Sequence, residues 1–389
     1  MSEHYESPAS PPSPHLFSLY LATVAVYADM YITQSILPLL SQEFGVQPAT
    51  AGLTISAVVL AIAISSGAYG PLGDSLGRKP VMVWSCALLA IPTLLCAFAP
   101  TFPLLLLSRT LQGLLVPGVS ALAVAYIGDL ADSGKLGSMV GGFIAASVAG
   151  GLVGRVGSGL VTDFFSWQAA FVVFSATTLA GAAAMAVSLP RGPVHKGLHW
   201  LRAYRDMFRH LGDRRLVGAF IIGGALFFGF IGVFTYLPYY LTRPPFGLST
   251  AIVSGIYIVY LAGIITSPLA GRLSARFSRR LIMGVGLVMA CLGVGITLVA
   301  SLPVILLGLV VLVVGMFAAQ GTAPAYVNAT ARTARGGANA LYFAFYYVGA
   351  TIGSVLPGYA LQAIGWPGVA ATCAAAFLIA LLADWLLCR

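Results

Sequence analysis

The chain has 389 residues, of which 59% are hydrophobic and only 8% charged. About a quarter of an ordinary soluble domain is charged, and so few charges cannot cover a water-exposed surface of this size. Lipid must solvate most of the chain. The formal net charge of +9 does not point to nucleic acid. The basic residues sit in short gaps between apolar runs, without the aromatic-interleaved basic face that nucleic acid needs.

From the N-terminus, residues 1–15 carry Pro8, Pro11, Pro12 and Pro14 and read as a short disordered cytoplasmic tail. No Lys or Arg precedes the first apolar run, so this is not the pattern of a cleaved signal peptide. A helix needs roughly 20 apolar residues to cross the hydrocarbon. Twelve stretches meet that need, at about 16–40, 50–72, 80–98, 102–127, 137–161, 168–189, 216–241, 250–272, 281–300, 303–325, 338–362 and 367–387. The five cysteines lie in or at the ends of these runs, with no C-x-x-C pair and no metal-ligand spacing, and read as small buried hydrophobes.

The gaps set the orientation. Alternate gaps hold Arg78 and Lys79; Lys135; the run from Arg191 to Arg215; Arg272, Arg276, Arg279 and Arg280; and Arg332 with Arg335. The other gaps hold only Arg243. The basic set is expected in the cytoplasm, together with both termini. The longest gap, 191–215, separates a six-helix bundle at 16–190 from a second at 216–389. Within it Leu198, Leu201, Tyr204, Phe208 and Leu211 recur at helical spacing, with Arg202, Arg205 and Arg209 elsewhere. That pattern suits a basic amphipathic helix on the inner leaflet; a solvated linker is the alternative.

The two halves repeat. Gly70-Pro-Leu72-Gly-Asp74-Ser-Leu-Gly77-Arg78-Lys79 follows the second span, and Gly271-Arg-Leu273-Ser-Ala275-Arg-Phe-Ser278-Arg279-Arg280 follows the eighth. Gly, Leu and the closing basic pair align without gaps, which implies a parallel repeat about an axis along the membrane normal. The first loop resembles the signature of the major facilitator superfamily, Gly-x-Leu-x-Asp-x-x-Gly-Arg-Lys. Arg109-x-x-Gln112-Gly113 in the fourth span is similar to that superfamily's drug–proton antiporter branch. Gly150, Gly154 and Gly159 resemble its antiporter motif, with Arg155 where proline is expected. Tyr31, Gln34, Pro38 and the following Glu43-Phe-Gly-Val look like a bacterial subgroup of sugar or drug efflux carriers. The resemblance implies an all-α membrane protein, with twelve transmembrane helices in two pseudo-symmetric six-helix bundles.

Asp74 ends the second span, Arg78 follows one turn on, and Asp129 ends the fourth span. The resemblance implies that these three, with Gly70 and Gly77, latch the halves when the cytoplasmic side is closed, through charge-assisted hydrogen bonds and helix-end dipoles. Plain anchoring by Arg78 and Lys79 is the alternative. The second loop carries Ala275 at the aspartate position, so any latch there lacks its acid.

Ionisable residues inside a membrane are functional by default, and only Asp29, Arg109 and Arg155 lie well inside spans. At 1.5 Å per residue they share a depth to within about 5 Å, so they are expected to converge. Asp29 is the candidate proton carrier. Desolvation disfavours its charge and an arginine favours it, so access to Arg109 or Arg155 that changes with conformation would toggle its proton. The alternative is a permanent Asp29–Arg bridge that only holds helices together. Asp384 is close enough to the end of the last span to reach the interface. Phe227, Phe228, Phe230, Phe234, Tyr236, Tyr239 and Tyr240 crowd the seventh span, and Tyr342, Phe345, Tyr346 and Tyr347 the eleventh. The candidates for holding a solute are Arg109, Arg155, Tyr31, Gln34, Gln112, Phe234 and Tyr346; for each aromatic singly, packing or lipid contact is the commoner role.

No H-E-x-x-H, G-x-S-x-G, paired catalytic carboxylates, filter loop or P-loop is present. The expectation is a secondary active transporter and not an enzyme, with no cofactor and no metal. Its partners would be a small-molecule substrate, protons and the lipid bilayer, and it would work as a monomer in the bacterial inner membrane. Proton-coupled export of a small drug-like or sugar-like compound is the leading reading. The alternative is proton-coupled movement, uptake included, of a small organic anion or sugar bound by Arg109 and Arg155.

Overall fold

The computed structural model describes residues 14–130, 135–190, 208–274, 276–331 and 335–388. Most of the expected tail, Ala275, and Leu198, Leu201 and Tyr204 of the expected amphipathic helix lie outside those residues. Of that helix's apolar stripe, Phe208 and Leu211 are described and exposed, beside a short 3-10 turn at Arg209–Gly212.

In hydrocarbon every backbone N–H and C=O must be satisfied within the chain, and long apolar runs do this as helices. Span one is the pair Pro14–Tyr31 and Leu37–Glu43, separated by a turn at 32–36. Spans two and three are Pro48–Leu76 and Arg78–Ala97. Span four, Phe102–Leu130, is bent at Pro117, whose ring cannot join the helical ladder. Spans five and six are Leu136–Phe164 and Trp167–Ser188. The second half holds span seven, Arg214–Leu241, and span eight, Thr250–Leu273. Span nine is Arg279–Ile296 and span ten Leu302–Thr330. Span eleven is Arg335–Gly353 with Leu356–Ile364, and span twelve Trp366–Leu387. Twelve spans put both ends of the chain on one face, here called the terminal face; the other is the far face.

The repeat seen in the loops extends to the packing. Span one packs on five and six, three on six, and two on four; seven packs on eleven and twelve, nine on twelve, and eight on ten. Each pair recurs six spans later, which is the pseudo-symmetry of two like bundles. The bundles meet through spans two with eleven, and five with eight, again a symmetric exchange.

Their seam is tightest toward the far face. Ser56 Oγ lies 2.6 Å from Ser354 Oγ and donates to the Thr351 carbonyl at 2.8 Å. Tyr239 OH donates to the Leu37 carbonyl at 3.0 Å and lies 2.5 Å from Ser41 Oγ. Gln34 Nε2 donates to Thr235 Oγ1 at 3.1 Å. Between described residues, the side-chain hydrogen bonds that join the halves all lie in the part of the spans nearer the far face, so the molecule is closed there. Backbone approaches at the same level are close enough to need glycine. A Cβ on Gly52 would lie 1.9 Å from the Ser354 carbonyl oxygen.

Candidate functional site

The three intramembrane charges do not converge. Arg109 points into the first bundle, where it is wholly buried and clamps span one to span two. Its Nε donates to the Thr54 carbonyl at 3.1 Å, Nη1 to the Asp29 carbonyl at 2.8 Å, and Nη2 to the Met30 carbonyl at 2.7 Å. Nη1 also donates to Gln112 Oε1 at 2.7 Å, and Gln112 Nε2 donates to Thr93 Oγ1 at 2.7 Å. Arg109 and Gln112 thus spend their polar groups inside the first half and present nothing to a solute between the halves. The expectation that they bind solute is corrected by this geometry.

Asp29 lies in the same interior, on the side of span one that faces spans three and six. Its Oδ2 accepts from Thr178 Oγ1 at 2.8 Å and Thr93 Oγ1 at 3.2 Å, and its Oδ1 has no partner. Arg109 takes the Asp29 backbone carbonyl and makes no ion pair with its carboxylate. The expected permanent Asp29–Arg bridge is absent among the described residues. The carboxyl is held by hydroxyls alone.

Arg155 turns the other way, to the seam. It is buried at 2% exposure, yet among the described residues no carboxylate forms an ion pair with it. Nε donates to Gln34 Oε1 at 2.6 Å and Nη1 to the Gly151 carbonyl at 2.7 Å. Its guanidinium carbon lies 3.7 Å from the Tyr31 ring centre on the first half, and 4.8 and 5.6 Å from those of Tyr260 and Tyr257 on the second. Cation–π contacts of this kind offset part of the desolvation cost of the charge, but leave it without a counter-ion. The hydroxyl of Tyr260 is itself buried and unpartnered.

An aromatic wall continues from this point along the second half. Phe234 and Phe230 pack on Tyr260 with ring centres 4.6 and 5.0 Å away, Phe230 packs on Phe227, and Phe227 stacks on Tyr346 at 3.7 Å. Gln320 Nε2 donates to Tyr346 OH at 2.6 Å. Arg155, Tyr31, Gln34, Phe234 and Tyr346 are therefore brought together at the seam. Sequence reasoning missed Tyr257, Tyr260, Gln320 and Thr235. The tyrosines carried a usable signal, a Tyr-x-x-Tyr pair on one side of an apolar span.

The signature loop also differs from its expected role. Arg78 pairs with Asp74 at 3.3 Å and with Asp129 at 2.5 Å, and donates to the Ala125 carbonyl at 2.7 Å. All of these belong to the first half, so the cluster ties spans two, three and four to one another and does not join the halves. Asp74 is already paired with Arg78 here, with the far side closed. Gly77 takes φ 89° between spans two and three, a backbone that favours glycine. Nothing would meet a Cβ on Gly70, so its identity has no steric explanation in this state. Lys79 donates to the Leu189 carbonyl at the end of span six. Its repeat partner Arg280 does the same at span twelve, donating to the Asp384 and Trp385 carbonyls and pairing with Asp384 at 3.6 Å. Asp384 is buried by this contact and does not reach the interface.

The Major Facilitator Superfamily model matches residues 19–264 and 246–388. The chain belongs to this superfamily. Its members are transporters and not enzymes, and this chain is a multi-pass membrane transporter that carries a small-molecule substrate. It is 34% identical to the inner membrane transport protein YnfM of Escherichia coli (strain K12), over 94% of this chain and 88% of that one. It is 30% identical to the uncharacterized MFS-type transporter YybF of Bacillus subtilis (strain 168), over 96% of this chain and 93% of that one. In fold it is similar to a bacterial homologue of the human lysosomal transporter Spinster in an inward-facing, unoccupied conformation. The TM-score is 0.80, with 16% identity and coverage of 97% and 96% of the two chains.

Proposed function

We propose that this chain is a proton-coupled secondary transporter that exports a small organic compound bearing an acidic group. It works by alternating access, as a monomer, in the bacterial inner membrane. The observation that carries this reading is the uncompensated guanidinium of Arg155, buried among tyrosines of both halves. A buried charge without a partner is costly, and a solute anion arriving at the seam would supply the missing counter-charge. Tyr31, Gln34, Phe234 and Tyr346, with Tyr257 and Tyr260, would hold its body. The terminal face is assigned to the cytoplasm from the distribution of Lys and Arg, so the present state is inward-facing.

Asp29 is assigned the proton. An uncompensated buried carboxylate is also costly, and a proton removes that cost. The Arg78 cluster is assigned to stiffening the first bundle as it rocks. A second reading, proton-coupled uptake of the same anion, is favoured by the charge at the seam, because a proton moving with the anion makes the step electroneutral. Proteoliposomes with an imposed pH gradient test both. Solute should move against the proton gradient in export and with it in uptake, and Asp29→Asn should abolish gradient-driven flux while solute exchange persists. Undiminished gradient-driven flux in that variant would remove Asp29 from the coupling.

A further inference from the structure

We propose that the second half binds the phosphate of an anionic phospholipid headgroup, in a cavity on the terminal face where the repeat lacks its own acids. In the first half Arg78 is neutralised by Asp74 and Asp129. Arg279 holds the corresponding place in the second loop. The sequence sets Ala275 where Asp74 stands, and the same offset sets Thr330 opposite Asp129. The repeat has kept the cation and lost both carboxylates.

The space is there as well. A cavity of about 980 Å³ opens beside Arg279, lined also by Arg215, Arg280, Thr330 and Asp213. Arg280 is committed to Asp384 and the end of span twelve. Asp213 is the one acid in the lining, and its Oδ1 accepts from the backbone N–H of Arg215. Among the described residues Arg215 and Arg279 form no ion pair. Two arginines and a hydroxyl therefore line a cavity whose one described carboxylate, Asp213, pairs with neither of them, a donor set that suits a phosphate oxygen cluster. Phe277, also in the lining, is 54% exposed. An apolar ring beside a phosphate cradle at a membrane face favours a lipid over a free ion, and basic pockets of this kind between spans hold anionic headgroups. The inference is independent of transport direction and of Asp29.

The test uses the full chain purified in detergent, with dioleoylphosphatidylglycerol, dioleoylphosphatidylcholine and inorganic phosphate as probes. Lipid retention is read by native mass spectrometry and stabilisation by thermal midpoint. Phosphatidylglycerol should bind at least tenfold more tightly than phosphatidylcholine and raise the midpoint. Arg215→Gln with Arg279→Gln should lower that affinity by roughly tenfold or more, the scale of lost hydrogen bonds to charged groups. Thr330→Asp, which restores an acid opposite Arg279, should do the same without either arginine being touched. Arg272→Gln, on the same loop but outside the cavity lining, should leave binding unchanged. Equal retention of the two lipids, undiminished binding in the double glutamine variant, or an equal loss from Arg272→Gln would overturn the site. Stabilisation by inorganic phosphate equal to that by phosphatidylglycerol would overturn the lipid as its source.

Discussion

Gly52 is where the closed far face should be most sensitive. A Cβ there would sit 1.9 Å from the Ser354 carbonyl oxygen and 2.7 Å from Tyr236 OH, both on the opposite half. The tyrosine can swing, but the carbonyl is backbone and is fixed by the turn of span eleven that follows Gly353. Alanine therefore forces spans two and eleven apart, and only in the state that brings them together. Overpacking costs about 1–3 kcal/mol, and a cost borne by one state shifts the equilibrium by its full value. The ratio of far-open to far-closed molecules should rise by about fivefold to 150-fold. A single cysteine in place of Leu37, buried in the seam beneath Tyr239, would report it in a cysteine-free background. Its labelling by an impermeant maleimide from the far side should rise in Gly52→Ala. Gly349→Ala is the control: its Cβ would meet the Gly224 carbonyl oxygen at 1.9 Å, within one half. It should lower thermal stability and leave the labelling rate alone. Unchanged labelling in a folded Gly52→Ala protein would mean that the helices yield locally and that the seam is not the gate.

Arg155→Gln should weaken acidic solutes roughly tenfold to hundredfold, the scale of a hydrogen bond to a charged group, and neutral analogues far less; equal losses in competition binding would make Arg155 a packing residue. Arg109→Ala removes the donor that ties the Asp29 and Met30 carbonyls of span one to the Thr54 carbonyl of span two, so it should cost about 2–5 kcal/mol of stability, seen as a lowered thermal midpoint with no preference among solutes. Asp74→Asn should change stability by only about 0.2–1 kcal/mol, the worth of a partly exposed pair, because Arg78 keeps Asp129; a large shift in either stability or far-side labelling would restore Asp74 as a switch.

The spans were legible because a run of about twenty apolar residues has few other uses. Their ends were less so: span ten continues to Thr330, about five residues past the expected limit, because the sequence stays apolar or small that far. That Asp29, Arg109 and Arg155 lie buried inside the spans was also legible, from how few charges the apolar runs contain. What the sequence could not supply was direction around each helix axis. Depth along a span follows from counting residues, and Arg109 and Arg155 do both reach residues 29–34 of span one. Which neighbour each faces depends on how the helices pack, and that separated Arg155 from the other two. The motif loops show the same limit. The resemblance grouped Arg78 with Asp74 and Asp129, which do pair, but within one half.

The separation of Asp29 from Arg155 constrains how a proton and a solute could be coupled. Direct competition for one arginine is excluded in this state, since among the described residues neither Arg155 nor Arg109 forms an ion pair. The two sites are nevertheless joined by one element. Asp29 and Met30 give their carbonyls to Arg109, Tyr31 lies against Arg155, the turn at 32–36 breaks the helix, and Gln34 and Ser35 then bond to Arg155. Residues 29–36 of span one would thus carry the proposed proton site, the clamp, the turn and the proposed solute site in succession. Breaks of this kind are tolerated in a membrane where they line a cavity or a hinge. Ionising Asp29 would put a charge among threonines at the inner edge of the turn, and loading Arg155 would pull on its outer edge. In the proposed scheme coupling is therefore mechanical, through the pitch of that turn. Gln34 extends it across the seam, because the same side chain that accepts from Arg155 donates to Thr235 of the second half.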